Sequence, residues 1–73
     1  MKNDTFLLFP NIGSAMYRAG VSRKELALRL GISRSTLDRR LRGCSDFRWN
    51  ELYLLHAVFP DLPVSFLLER SAI

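Results

Sequence analysis

Cysteine and histidine are nearly missing from this sequence, whose 73 residues include only Cys44 and His56. One cysteine excludes a disulfide within the chain, and the two residues together are too few for a zinc site. This cysteine usage favours a reducing cytosol. We expect Cys44 to pack in a loop rather than act as a redox switch, and His56 to lie on a helix surface or partly buried.

Long apolar runs are also lacking. The run from Phe6 to Phe9 is too short for the core of a signal peptide, and no segment approaches the length of a membrane span. We therefore expect a soluble, cytoplasmic protein without a membrane partner.

The residue patterns of a catalytic site are absent as well. A chain of 73 residues allows one small domain without an elaborate cleft. The sequence shows no carboxylate cluster, no paired cysteine and histidine and no glycine-rich phosphate loop. We therefore expect no enzyme, no cofactor, no metal and no small-molecule substrate.

Positive charge is concentrated in the middle of the chain. Eleven Lys and Arg against seven Asp and Glu give a net charge of +4. Residues 18–48 hold nine of the bases and three of the acids, whereas residues 49–73 have a net charge of −2. A basic segment between neutral and acidic ones is typical of a local anion-binding face, so the candidate site lies in residues 18–48.

The first predicted helix spans about residues 11–19. Asn11 can cap its N-terminus, and Gly20 stands where a left-handed residue would end it. Its apolar face consists of Ile12, Ala15, Met16 and Ala19.

The second predicted helix spans about residues 23–30 and ends at Gly31. Ser22 and Glu25 form a capping box at its start, in which each side chain accepts a hydrogen bond from the other residue's backbone N–H. Its apolar face consists of Leu26, Ala27 and Leu30.

The third predicted helix spans about residues 34–42, after a cap at Ser33. Leu37 and Leu41 repeat along it until Gly43. Because only Ile32 separates Gly31 from Ser33, helices 2 and 3 must turn sharply and share one core. This is the shape of a helix-turn-helix.

Two further helices follow the basic segment. Helical spacing from about residue 48 to residue 58 stops at Pro60, and Asp61 and Pro63 suit the start of a short last helix. Only residues 5–9 form a candidate strand. The pattern therefore predicts an all-α fold with five helices.

The free side of helix 3 carries the candidate chemistry. With Leu37 and Leu41 pointing inward, Ser35 and Arg39 point roughly outward, and Arg34 can reach past the helix N-terminus. Guanidinium groups and short hydroxyls suit guanine edges and phosphates in a DNA groove. The alternative is that this basic side is only solvated surface.

Residues 23–43, which read RKELALRLGISRSTLDRRLRG, resemble the helix-turn-helix of the phage Cro/repressor-type (XRE-like) family, whose pattern is roughly ELA..LGIS..TLS..L.G. The run from Phe9 to Ile12, together with Phe47 and Glu51, also resembles a phage or prophage subfamily. The resemblance covers about residues 9–68. It implies a five-helix lambda-repressor-like domain over residues 9–73, preceded by an arm of residues 1–8.

The same resemblance implies a repressor that binds double-stranded operator DNA through the major groove, as a homodimer on DNA. Arg34, Ser35 and Arg39 match the base-reading positions of the family. Arg23 stands where the family usually has a glutamine that contacts a phosphate. The residues expected to contact phosphates are Ser22, Arg23, Ser33, Thr36, Arg40, Arg42, Ser45 and Arg48.

The sequence allows two alternative roles for each of three charged residues. Arg40 stands where many relatives have an apolar residue, and it is either a phosphate contact or a surface ion pair. Either Asp46 caps helix 4, or that cap is missing and Arg48 points at DNA, which we favour. Asp38 is either a helix partner of Arg34 and Arg42, which we favour, or an acceptor from cytosine.

The chain has more apolar side chains than a core of this size needs. Some of these side chains could form a dimer interface, or Trp49 and Phe66 could complete the core while the run from Phe6 to Phe9 covers it. The set consists of Trp49, Tyr53, Leu54, Phe66, Leu67 and the run from Phe6 to Phe9. Trp49, Tyr53, Leu54 and the apolar N-terminal arm could also bind another protein. The alternative function is therefore a helix-turn-helix scaffold that acts as a protein-binding adaptor or antirepressor.

Overall fold

The computed structural model describes residues 7–71 of the chain. This part contains five helices and no strand: α1 (Pro10–Ala19), α2 (Arg23–Leu30), α3 (Arg34–Arg42), α4 (Trp49–Val58) and α5 (Val64–Leu67). The predicted all-helical class and the bounds of α2 and α3 are confirmed. The prediction of a strand over residues 5–9 was wrong for residues 7–9, which form neither helix nor strand, and residues 5 and 6 lie outside the described part.

The first helix begins one residue earlier than predicted. Pro10 is its first residue and Phe9 is at the N-cap, because the fixed φ of proline suits a first turn and its missing N–H is not needed there. Asn11 is therefore not a cap. Its amide donates instead to the carbonyl oxygen of Phe66 at 2.9 Å and to Glu69 Oε1 at 3.2 Å, which joins α1 to the α5 end of the chain.

Only half of the predicted capping box forms at α2. The Ser22 hydroxyl oxygen accepts from the N–H of Glu25 at 3.1 Å, as predicted. The Glu25 carboxylate accepts from Arg29, one turn further along the same helix, rather than from Ser22. Oppositely charged side chains four residues apart lie side by side on a helix, so this pair competes with the cap.

The core forms where α1, α2, α3, α4 and α5 meet. Each helix directs at least one apolar residue into this core, and the predicted inward faces of α2 and α3 are buried in full. Ala19 of the first predicted face is exposed. The buried apolar residues are Ile12, Ala15, Met16, Leu26, Ala27, Leu30, Leu37, Leu41, Leu55, Phe59 and Leu67.

The segment before α1 is held against the end of α3. The N–H of Leu8 donates to the carbonyl oxygen of Leu41 at 2.9 Å, and the carbonyl oxygen of Leu8 accepts from Ser71 at 2.8 Å. A Cβ on Gly43, which has φ +83°, would collide with the Leu8 side chain. Residues 7 and 8 of the predicted arm therefore pack on the domain, and residues 1–6 lie outside the described part.

The last two helices differ slightly from their predicted bounds. Arg48 is at the N-cap of α4, so the alternative that Asp46 caps this helix was wrong. Pro63 is at the N-cap of α5, a helix of four residues in which only Leu67 is buried. No helix among residues 7–71 is both long enough and apolar enough to cross a membrane.

Candidate nucleic-acid interface

A short turn of three residues connects α2 to α3. Gly31 takes a left-handed conformation with φ +72°, which favours glycine, and the N–H of Ile32 donates to the carbonyl oxygen of Ala27 at 3.0 Å. Ile32 then packs against the core. Because Leu37 and Leu41 are buried as well, one side of α3 is anchored and the other faces outward.

The three predicted base-reading residues lie on this outward side. Arg34, Ser35 and Arg39 are all exposed, and so is Arg42 near the end of α3. None of the three arginines forms an ion pair with another residue in the range 7–71. The structure therefore brings together uncovered guanidinium groups and a hydroxyl on one helix face, which is an arrangement that can bind anions and base edges.

Hydroxyl groups organise the first turn of α3. Ser33 Oγ accepts from the N–H of Thr36 at 3.1 Å and donates to Thr36 Oγ1 at 2.8 Å. Ser35 Oγ lies 3.3 Å from Ser33 Oγ. The Ser33 cap binds one N–H of the first turn, and the partial positive charge of the helix N-terminus lies beside Arg34. This turn suits a negatively charged partner.

Arg23 forms a cross-helix ion pair that the sequence did not reveal. Its Nη1 donates to Asp38 Oδ1, between the start of α2 and the middle of α3. The side chains of Arg23 and Asp38 keep 35% and 31% of their surface exposed. The favoured prediction for Asp38, pairing within α3 with Arg34 and Arg42, was wrong because Arg23 of the neighbouring helix reaches the carboxylate.

Arg40 lies in a different environment from the one predicted. It is buried rather than exposed, and its guanidinium donates from Nε to Glu51 Oε1 at 2.8 Å and from Nη2 to Glu51 Oε2 at 3.0 Å. Nη1 donates to Ser45 Oγ at 2.8 Å. The predictions of a phosphate contact and of a surface ion pair were both wrong, because Arg40 lies on the inner side of α3 beside Leu41.

Glu51 stabilises the loop between α3 and α4. Its Oε1 also accepts from the N–H of Arg48 at 3.1 Å, so the carboxylate binds both Arg40 and the N-terminus of α4. The pKa of Glu51 lies below its ordinary value, mainly because the Arg40 guanidinium donates to it, and burial opposes this effect only in part. Glu51 is therefore charged at neutral pH.

The sequence pattern did not identify Glu51 as the partner of Arg40. The available signal was the position of Arg40, three residues after Leu37 and next to Leu41 on the buried side of the helix. A charge at such a position needs a buried opposite charge. Glu51 is the first acidic residue of the following helix.

The loop after α3 presents the other predicted phosphate contacts. Arg48 is exposed, whereas Ser45 is half-buried and accepts from Arg40. Cys44 is exposed, so the prediction that it packs in the loop was wrong. Phe47 packs beside Phe9, with ring centroids 5.9 Å apart. The loop is thus anchored on its inner side and open at Arg48.

An apolar groove lies between α4 and the start of α5. It is lined by Trp49, Leu52, Tyr53, His56 and Val64. Trp49 is 87% exposed and Tyr53 is 76% exposed. The alternative that Trp49 and Phe66 complete the core was therefore wrong, since Phe66 is also 38% exposed. Leu67 is fully buried, so its prediction as an interface residue was wrong. His56 is exposed on the helix surface, which is one of its two predicted positions.

Residues 11–42 match the model of a family described as bacterial regulatory protein, Fis family. The match includes most of α1 and all of α2 and α3, which is somewhat under half of the chain. The comparisons with curated proteins and with solved structures gave no match. Over α1 to α3, the chain is therefore similar to helix-turn-helix regulatory proteins of the DNA-binding type.

Proposed function

We propose that this chain is a sequence-specific transcriptional regulator that binds double-stranded DNA through the major groove. In this proposal it is a phage or prophage repressor of the Cro/repressor type, acts on an operator in the cytoplasm and needs no cofactor. The helix-turn-helix similarity supports DNA binding, and the residue pattern of positions 23–43 supports the Cro/repressor type.

The observation that carries this proposal is the uncovered side of α3. Arg34, Ser35 and Arg39 share it, while Leu37 and Leu41 hold the opposite side in the core. A helix anchored in this way can enter the major groove as a rigid unit. An arginine there can donate two hydrogen bonds to O6 and N7 of a guanine, so Arg34 and Arg39 would supply sequence preference.

Phosphate contacts would supply most of the affinity. Exposed Arg42 is the last residue of α3, the proposed recognition helix, and exposed Arg48 lies in the loop after it. The capped N-termini of α2 and α3 offer backbone N–H groups as well. Arg23 remains a proposed phosphate contact, and so do Ser22, Ser33, Thr36 and Ser45 through their hydroxyl groups. Arg40 is left out of this set because Glu51 and Ser45 bind its guanidinium.

The proposed active form on DNA is a homodimer. One helix-turn-helix module buries only about 600–1,000 Å² on DNA, and a two-fold partner doubles the contacts with a symmetric site. The exposed groove at Trp49 and Tyr53 offers apolar surface for such a partner.

Selection of bound duplexes from a random library tests this function. We expect enrichment of one sequence, and a symmetric site would support the dimer. The variant Arg34→Ala/Arg39→Ala should lose the enrichment. The control Arg18→Ala/Arg70→Ala removes two exposed arginines outside α3 and the same charge, and it should keep the enrichment. No enrichment with the wild type would contradict the proposal.

A second candidate function rests on the exposed apolar groove. A protein-binding adaptor or antirepressor would use Trp49 and Tyr53, although Leu54, the third predicted contact, is half-buried. Salt separates the two functions. Binding to a duplex should weaken steeply with added salt because counterions are released, whereas an apolar protein interface should change little.

A further inference from the structure

The ion pair between Arg23 and Asp38 distinguishes Arg23 from the other arginines of the proposed interface. Arg34, Arg39 and Arg42 are exposed and form no ion pair in the described part of the chain. Arg23 instead donates to a carboxylate of the recognition helix. The positive charge that Arg23 offers to a phosphate is therefore largely neutralised by the Asp38 carboxylate, which also fixes the position of the guanidinium.

The geometry leaves Arg23 able to bind a phosphate without losing Asp38. A guanidinium has five N–H donors, and the pair uses one nitrogen, Nη1, and one carboxylate oxygen, Oδ1. Both side chains keep about a third of their surface exposed. Asp38 therefore sets the position of Arg23 at the junction of α2 and α3 and does not bury it.

The ion pair between Arg23 and Asp38 is expected to contribute little to the stability of the fold. Ion pairs between partly exposed side chains contribute little to stability, because water screens their attraction. The effect on an anionic partner is larger. One carboxylate beside one guanidinium removes a unit of positive charge from the surface that would meet the phosphates.

We propose that Asp38 is a specificity-determining residue that acts through Arg23. Asp38 neutralises and orients the Arg23 guanidinium. Arg23 therefore contributes to binding when α3 is seated in the groove of the operator, and it contributes little to the binding of random DNA. The proposal rests on the proposed function, and it assigns Asp38 a positioning role instead of a direct contact with a cytosine.

The test uses the full chain and two duplexes, the sequence selected with the wild type and a scrambled duplex of the same length. Asp38→Asn keeps the size of the side chain and removes its charge. We expect its affinity for the scrambled duplex to rise roughly 3- to 10-fold at low salt, with a slope of log K against log salt steeper by about 0.9. Affinity for the selected duplex should change by less than about 2-fold, because the added charge strengthens binding while the loss of the Arg23 orientation weakens it. Discrimination between the two duplexes should therefore fall.

Two controls separate this role from a general effect of charge. Asp61→Asn removes an exposed carboxylate between α4 and α5 and gives the same net charge. In the Arg23→Gln background, Asp38→Asn should raise scrambled-duplex binding no more than Asp61→Asn does. Equal effects of Asp38→Asn with and without Arg23 would overturn the proposal, and so would an equal gain on both duplexes.

Failure of the proposed function would look different. A wild type that binds no duplex would reject both ideas, whereas a wild type that selects a sequence but shows no coupling between Arg23 and Asp38 would reject only this one. Circular dichroism of each variant checks that it folds. If Asp38→Asn does not fold, Asp38→Ser serves as the second carboxylate-free variant under the same criteria.

Discussion

Arg40 of α3 and Glu51 of α4 form a bidentate ion pair that is almost fully buried, with 11% and 3% of the two side chains exposed. The pair joins α3 to α4 across the loop that carries Arg48. Ser45 Oγ accepts from the third Arg40 nitrogen, Nη1, and the N–H of Arg48 donates a second hydrogen bond to Glu51 Oε1. Every buried side-chain nitrogen and oxygen in the described part has a hydrogen-bond partner. The cluster therefore holds the shape of the proposed DNA-binding face from inside.

Removal of one partner of this pair should destabilise the domain strongly. Glu51→Gln leaves the Arg40 charge buried without compensation, so we expect the free energy of unfolding to fall by roughly 3 kcal/mol. Arg40→Met/Glu51→Met removes both charges and should be more stable than Glu51→Gln. Urea denaturation followed by circular dichroism measures both. Glu25→Gln, which breaks a half-exposed pair with Arg29, is the control and should cost below about 1 kcal/mol.

Acid should weaken the contribution of Glu51 to stability. The folded-state pKa of Glu51 is lowered, chiefly by the hydrogen bond from Arg40, so the unfolded chain binds a proton first as pH falls. The contribution is therefore complete above the ordinary value of 4.5 and is lost as pH falls through the lower folded-state pKa. Urea denaturation from pH 7 to pH 3 should show the wild type approaching Glu51→Gln. A constant difference between the two proteins would contradict this prediction.

Two arginines of α3 should affect DNA binding in different ways. Arg39→Ala removes a proposed base contact, so we expect a loss of roughly 1–3 kcal/mol on the selected duplex and relaxed preference at one base pair. Arg42→Ala removes a proposed phosphate contact. It should weaken binding to all duplexes alike and lower the salt slope by about one. Fluorescence anisotropy at several salt concentrations measures both, and identical profiles for the two variants would reject this assignment.

A methyl group at Gly43 should cost more than one at Gly20. Both glycines are left-handed, with φ +83° and φ +70°, so alanine is strained at either position by roughly 1 kcal/mol. A Cβ at Gly43 would also collide with Leu8, whereas a Cβ at Gly20 meets no atom within 4 Å. Thermal unfolding should therefore show a larger decrease in melting temperature for Gly43→Ala. Equal decreases would show that Leu8 moves aside freely.

The sequence by itself determined the helices of the helix-turn-helix. Ser22, Ser33, Gly31 and Gly43 act on backbone groups within a few residues, so their effect can be read without knowledge of the fold. The same local reasoning placed Leu37 and Leu41 inside and Arg34, Ser35 and Arg39 outside, because one helix has a fixed period.

Only the tertiary structure decided how the remaining charges pair. Arg40 pairs with Glu51, 11 residues away in sequence, and Arg23 pairs with Asp38, 15 residues away, and each pair joins two different helices. The local pattern instead offered Asp38 two partners on its own helix. It also left open whether Trp49 was buried. The partner of a charged side chain and the burial of a large aromatic side chain depend on the atoms within a few ångströms. The packing of one helix against another determines which atoms those are.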